Sequence, residues 1–122
     1  MYISCSIIES YVIKYFLSEP TNEEVCIGET AYFDCDIDKW DYPQWYINST
    51  IYQSYKLPPK HFYDGIMKRM IVSNVTLIQN NTTYQCFFVK LSDGRRQQYN
   101  STLARLIVHL NGKVCPSYMY RC

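Results

Sequence analysis

The feature that most constrains this chain is an ordered set of residues: Cys35, then Trp45, then the run Tyr84-Gln85-Cys86. Segment 30–37 alternates with a period of two, so one face of it collects Ala31, Phe33, Cys35 and Ile37. Tyr84 and Cys86 are two positions apart and therefore also share one face of a strand. The set predicts β-strands with one buried face, which carries the cysteines and the large aromatic residues.

The other strand signals are short. Gln44–Ile47 is predicted as a strand with Trp45 and Ile47 inward. Leu57-Pro58-Pro59-Lys60 has two consecutive residues without a backbone donor, so it is predicted as a loop that leads to a short edge strand at about Ile66–Lys68. Further strands are predicted at 70–72 with Val75, at 84–89 and at 102–108, with a turn at 92–95. About seven or eight short strands without a helical period predict an all-β domain.

Length and charge limit the class of protein. The 122 residues make one domain, with a net charge of +1 and 19% charged residues. No basic face is visible, so we expect neither nucleic acid nor a membrane surface as partner. No stretch of 18 apolar residues could span a bilayer. Residues 1–17 make a poor signal peptide because they contain Glu9 and Lys14, which leaves an unusual signal, an added strand or a missing chain start.

Six cysteines in a chain of this length indicate an oxidising compartment. Zinc modules usually place two cysteines with two residues between them or group cysteines with histidines. Neither spacing occurs here, and His61 and His109 lie near no cysteine in the sequence. We therefore expect disulfides, no metal ion and no cofactor, in a protein that is secreted or part of a cell-surface ectodomain.

Five Asn-x-Ser/Thr sequences point to the same compartment. Composition alone could produce them in a β protein rich in Thr and Asn, but the cysteines favour real N-linked glycosylation. Asn80 and Asn81 are adjacent, so we expect at most one of the two to carry a glycan on a given molecule. The predicted glycosylation sites are Asn48, Asn74, Asn80, Asn81 and Asn100.

The ordered cysteine, tryptophan and tyrosine set resembles the core of an immunoglobulin domain over about residues 19 to 110. The resemblance implies an immunoglobulin-like two-sheet Greek-key β-sandwich at 19–111, after an N-terminal extension or added strand at 1–18 and before a Cys-containing tail at 112–122. The 51-residue separation of Cys35 and Cys86 is similar to the I-set or C2 type, which lacks the extra edge strand of variable domains. Another disulfide-bonded β-sandwich remains the alternative.

The resemblance also implies roles for the core residues. Cys35 and Cys86 would form the bond between the sheets, with Trp45 packed beside it, and the Tyr84 hydroxyl would bond a backbone group a few residues upstream. Cys26 would end the first strand next to the last one, which favours Cys26–Cys115 and leaves Cys5–Cys122 for the tails. The other connectivities of these four cysteines stay open, as does an intermolecular bond of Cys122.

A candidate interface follows from the strand phase. Tyr46, Phe87 and Val89 should point away from the core, with Leu103 and Ile107 on the neighbouring strand. A contiguous exposed apolar patch suggests a protein-binding surface. In the immunoglobulin family the C-F-G sheet is a common site of homophilic and heterophilic contact. The alternative is that one of the two terminal segments covers the patch.

The sequence thus predicts a non-catalytic, extracellular protein-recognition module of a cell-surface adhesion protein or receptor. The alternative is a secreted single-domain binding protein, such as a decoy or immune modulator. No Gly-x-Ser-x-Gly, His-Glu-x-x-His or phosphate-binding loop occurs, so we expect no catalytic residues and no enzyme activity.

Overall fold

The computed structural model of the chain describes residues 15–38 and 42–110. This part of the chain is almost entirely strands and turns, with a short 3-10 helix at Leu77–Gln79. The strands are β1 (Phe16–Ser18), β2 (Glu23–Cys26), β3 (Ala31–Asp34), β4 (Asp36–Ile37), β5 (Gln44–Ile47), β6 (Thr50–Gln53), β7 (His61–Asp64), β8 (Arg69–Val72), β9 (Thr83–Ser92), β10 (Arg95–Asn100) and β11 (Ala104–His109).

The strands form two layers that face each other. The larger sheet has the order β2-β11-β9-β5-β6, with β10 paired to the long strand β9. The other layer contains the sheet β3-β8-β7 and the pair β1-β4. β2 runs parallel to β11, with Cys26 beside His109, while the remaining neighbours are antiparallel. This is the all-β sandwich that the sequence predicted.

The core lies between the layers because each central strand buries alternate residues. Trp45, Tyr84, Phe33 and Met70 are fully buried there. The Phe33 ring of one layer stacks on the Tyr84 ring of the other at 4.2 Å between centroids. Burial of a large apolar side chain contributes about 1.5–3 kcal/mol, so these contacts supply a large part of the stabilisation.

The bond between the layers forms as predicted. Cys35 and Cys86 are joined by a disulfide with an S–S distance of 2.05 Å, and both are fully buried. Trp45 lies directly opposite Cys86 in the β5–β9 pair, so its ring fills the core beside the sulfurs. The Tyr63 hydroxyl donates a hydrogen bond of 2.8 Å to the carbonyl of Cys35, which ties β7 to the same region.

The predicted edge strand at Ile66–Lys68 is wrong. The edge strand is β7, which pairs with β8 from His61 to Asp64 and buries Tyr63. Ile66 and Met67 are instead part of the turn, where their backbone N–H groups donate to the Asp64 carboxylate. A carboxylate that accepts from the next residues closes a local turn and competes with strand pairing.

Two strands were absent from the sequence prediction. β6 follows β5 through the two-residue turn Asn48-Ser49, with φ angles of 49° and 68°. β10 follows β9 through Asp93-Gly94, with φ angles of 54° and 75°. Two consecutive positive φ angles define the hairpin turn that matches the twist of the flanking strands. β6 extends the larger sheet beyond β5 by one edge strand, and the next strand, β7, pairs with β8 in the other layer.

Candidate protein-docking face

The candidate site is the part of the larger sheet's outward side that is formed by β5, β6, β9 and β10, here called the outer face. The pairing registers place its side chains: Tyr46 lies opposite Ile51, Gln44 opposite Phe87, and Val89 opposite Gln98. The outer face is defined by the outward positions of β5, β6, β9 and β10, which are Gln44, Tyr46, Ile51, Gln53, Thr83, Gln85, Phe87, Val89, Leu91, Arg96, Gln98 and Asn100.

The outer face is almost free of charge. Among these outward positions, all within the described residues, Arg96 is the single charged side chain, and it lies near the hairpin tip. The outward positions of the opposite sheet include Asp34, Asp64 and Arg69. A surface that lacks charged residues and contains aromatic residues has the composition typical of the centre of a protein interface. The outer face therefore carries that signal more strongly than the smaller sheet, whereas the neighbouring strands β2 and β11 carry Glu24 and Arg105 on the same side.

The centre of the outer face is an aromatic pair that is held in place. The rings of Tyr46 and Phe87 stack with centroids 4.5 Å apart. Gln98 Nε2 donates to the Tyr46 hydroxyl at 3.0 Å and to Asn100 Oδ1 at 2.9 Å. These contacts fix the position of the Tyr46 ring before a partner arrives, which reduces the entropy lost on binding.

The structure brings Tyr46, Phe87 and Val89 together, but the expectation that Phe87 is exposed is wrong. Phe87 is only 3% exposed, although it points outward, because the stacked Tyr46 ring and its neighbours exclude water from it. Tyr46 and Val89 are half-buried. Leu103 is 59% exposed and precedes β11, while Ile107 is half-buried on β11 opposite Glu24.

Sequence reasoning did not place the residues of β6 and β10 on the outer face, which are Ile51 and Gln53 on β6 and Arg96, Gln98 and Asn100 on β10. Ile51 is 53% exposed and adds apolar surface beside Tyr46. Its strand, Thr50-Ile51-Tyr52-Gln53, is rich in β-formers and directly follows the Asn48-Ser49 turn. A turn sequence followed directly by β-forming residues is typical of a hairpin, and it is the signal from which β6 could have been predicted.

The Tyr84 hydroxyl has a different partner from the predicted upstream backbone group. It lies 2.8 Å from Nε2 of His61, which β7 carries across from the other layer. His61 Nδ1 lies 2.9 Å from the carbonyl of Pro59. A carbonyl can only accept, so Nδ1 carries the proton and Nε2 accepts from Tyr84. Burial lowers the pKa of His61, which keeps its ring neutral, and burial raises the pKa of Tyr84.

The five predicted glycosylation sites are all exposed asparagines. Asn48 lies in the β5–β6 turn, where its Oδ1 accepts from the Thr83 backbone at 3.0 Å. Asn74, Asn80 and Asn81 lie in the connection between β8 and β9. Asn100 alone among the five lies at the centre of the outer face, opposite Phe87. Glycosylation itself stays a prediction.

The remaining cysteines are partly outside the described residues. Cys26 lies within the described ranges and is disulfide-bonded. The predicted Cys26–Cys115 and Cys5–Cys122 pairs both involve positions that lie outside those ranges. These pairings therefore stay predictions.

A separate cavity of about 870 Å³ lies where the edge strands β6 and β7 approach each other. Aromatic side chains line much of it, including Tyr42, Tyr55 and Phe62. Within residues 15–38 and 42–110, no group of three or more His, Cys, Asp or Glu is arranged to hold a metal ion. No helix of the described part has the length and apolar character to cross a membrane.

Comparison with solved structures finds similar domains at low sequence identity. The first domain of Duf (Kirre) matches with a TM-score of 0.64 and 19% identity, over 78% of this chain and 95% of that one. The Ig-like domain of human leucine-rich repeat-containing protein 4 matches with a TM-score of 0.62 and 16% identity, over 89% and 98%.

A third match is the N-terminal Ig1-2 module of the Drosophila receptor protein tyrosine phosphatase DLAR, with a TM-score of 0.58 and 18% identity. It covers 80% of this chain, which spans half of that two-domain module. No protein-family model and no curated protein sequence matches the chain. The shared feature at these identities is the fold.

Proposed function

The chain has the immunoglobulin fold, and we propose that it is an extracellular, non-catalytic module that recognises a protein partner through the outer face. The core disulfide supports an oxidising, extracellular location. One of the similar structures is, by its name, part of a receptor. A cell-surface adhesion protein or receptor is therefore the proposed setting.

The observation that carries the proposal is the outer face with its single charge, Arg96, near the hairpin tip and its fixed aromatic pair at the centre. A partner that covers Tyr46 and Ile51 removes apolar surface from water without burying an unpaired charge. The amide groups of Gln44, Gln53 and Gln85, which lie beside the aromatic pair, can both donate and accept hydrogen bonds. The partner expected on these grounds is another protein surface of mixed apolar and amide character, including a second copy of this chain.

The test uses a charge placed on the outer face. Wild-type chain made in the oxidising bacterial periplasm carries no eukaryotic glycan and is displayed on beads, because multivalency amplifies weak affinities by about 10²–10⁴-fold. Bead clustering reports homophilic binding, and binding of the beads to a panel of immunoglobulin-domain ectodomains reports heterophilic binding. We expect Ile51→Glu to abolish the signal without a large change in melting temperature, because Ile51 is 53% exposed.

The matched control is Ile66→Glu, since Ile66 is 91% exposed and lies in the turn between β7 and β8, away from the outer face. This variant should bind like the wild type. Loss of binding in Ile66→Glu with full binding in Ile51→Glu would contradict the proposed face. Absence of binding by the wild type in both assays would contradict the recognition function itself.

A further inference from the structure

Asn100 occupies a position that no other predicted glycosylation site shares. It lies on β10 directly opposite Phe87, within the centre of the outer face. Its Oδ1 accepts from Gln98 Nε2 at 2.9 Å, and the same Nε2 donates to the Tyr46 hydroxyl at 3.0 Å. One amide group thus separates the Asn100 carboxamide from the aromatic pair.

The local backbone holds the Asn100-Ser101-Thr102 sequence firmly. Ser101 is 5% exposed, its N–H donates to the Cys86 carbonyl at 2.8 Å, and its hydroxyl accepts from the Cys86 N–H at 3.0 Å. The registers Asn100↔Phe87 and Ala104↔Tyr84 show one extra residue on this side, which is a β-bulge. The bulge anchors the serine inward and leaves Asn100 exposed on the outer side.

The carboxamide nitrogen of Asn100, which is the atom that carries an N-linked glycan, makes no hydrogen bond to any described residue. The other predicted sites lie elsewhere: Asn48 in the β5–β6 turn and the remaining three between β8 and β9. A glycan on one of those three would project from a loop. A glycan on Asn100 would start between the strands that form the candidate docking surface.

We propose that Asn100 is an N-glycosylation site whose glycan covers the aromatic centre of the outer face and so blocks docking there. The covering of Tyr46 by the glycan is argued from the geometry of Asn100. The loss of docking that follows from it rests on the proposed function. An N-linked glycan is bulky and hydrophilic, so a protein partner cannot reach Tyr46 while the glycan is present. The glycan-free chain docks, and the chain with a glycan on Asn100 does not.

The experiment removes the glycan in two independent ways. The chain is secreted from a eukaryotic cell line as wild type, Asn100→Gln and Thr102→Val, since both substitutions destroy the sequence that is glycosylated. Asn74→Asp is the control, because it removes a site away from the outer face and keeps a residue type that tolerates the positive φ of 48°. Glycopeptide mass spectrometry measures occupancy at each asparagine.

Hydroxyl-radical labelling then measures coverage without any partner. We expect Tyr46 to be labelled several-fold more slowly in the wild type and in Asn74→Asp than in the two Asn100-sequence variants. Tyr55, which is 87% exposed near the β6–β7 cavity, should be labelled equally in all four and serves as the internal reference. Bead binding should rise at least tenfold when the Asn100 glycan is removed.

An unoccupied Asn100 in the secreted wild type would overturn the inference. Equal labelling of Tyr46 with and without the glycan would overturn it as well. Slow Tyr46 labelling together with no binding by either glycan-free variant would support coverage and contradict the proposed function alone. The two failures are therefore distinguishable.

Discussion

Phe87 contributes to stability from the outer side of the sheet. It is 3% exposed and stacked on Tyr46, so its ring is removed from water almost as completely as a core residue. We predict that Phe87→Ala lowers the free energy of unfolding by about 2–4 kcal/mol, slightly below the range for a fully enclosed phenylalanine. Urea denaturation of the oxidised protein measures the change.

Leu91 is the matched control, because it points the same way on β9 but is 71% exposed. Leu91→Ala should change the free energy of unfolding by no more than about 0.5 kcal/mol. A small effect of Phe87→Ala, equal to that of Leu91→Ala, would show that the Tyr46–Phe87 stack does not exclude water.

His61 makes the stability depend on pH. Its pKa is lowered in the folded state by burial, so the unfolded chain takes up this proton near pH 6.5 while the folded chain takes it up only at lower pH. The stabilisation is fully present above the unfolded pKa and is lost as the pH falls toward the folded pKa. We predict that the wild type loses stability relative to His61→Gln as the pH falls from about 7.5 through and below the unfolded pKa of about 6.5.

Thermal unfolding of both proteins over that pH range measures the difference. The difference in melting temperature between wild type and His61→Gln should be largest at the high end of the range. A constant difference across the range would contradict a neutral His61 that accepts from Tyr84.

The β9–β10 hairpin depends on its turn as well as on one packed side chain. Tyr99 of β10 is half-buried and stacks on Phe88 at 5.2 Å between ring centroids, while the other five residues are exposed and are held by pairing with β9 and by the Asp93-Gly94 turn. Gly94 has a φ of 75°, and a Cβ added there would meet no atom within 4 Å. We predict that Gly94→Ala costs about 1 kcal/mol from backbone strain alone.

Hydrogen exchange should show this cost as faster exchange of the β10 amides, with the β3–β8 amides unchanged. Gly28 offers a comparison, since it also has a positive φ, of 89°, and open space around its Cβ position. Gly28→Ala should leave β10 exchange unaffected. Unchanged β10 exchange in Gly94→Ala would contradict the role of this turn.

The elements that the sequence predicted are those with one buried face. β3, β5 and the start of β9 alternate between buried and less buried positions, so their residues reveal both strand and phase. β10 has a single apolar residue, the half-buried Tyr99, and thus no periodic signal. The edge strand was misplaced because Ile66 and Met67, although apolar, are exposed in a turn, whereas the less conspicuous Tyr63 packs in the core.

The same limit applies to the candidate site. Strand phase correctly gave the outward direction of Tyr46, Phe87 and Val89, because direction depends only on the period of two. Exposure could not follow from phase, because it depends on which neighbouring strands lie beside the residue. The sequence identifies Asn100 as a glycosylation site. Its position opposite Phe87 could not be predicted, because it depends on β10, a strand that the sequence did not indicate.

For the whole molecule, the surface properties are unevenly distributed. The layer that contains β3, β7 and β8 carries charges on its outer side, including the pair Asp34–Arg69 at 3.2 Å. The larger sheet carries amides and apolar groups around Tyr46. A partner that docks on the molecule should therefore leave a footprint on one layer only.

The most direct test of the proposed docking face is a hydroxyl-radical footprint of the glycan-free chain, free and bound to the partner that the bead assays identify. The expected result is protection of Tyr46, Ile51 and Val89 on binding, with unchanged labelling of Phe62 and Ile71 on the other layer. Protection confined to Phe62 and Ile71, with Tyr46 labelled as in the free chain, would contradict docking through the outer face.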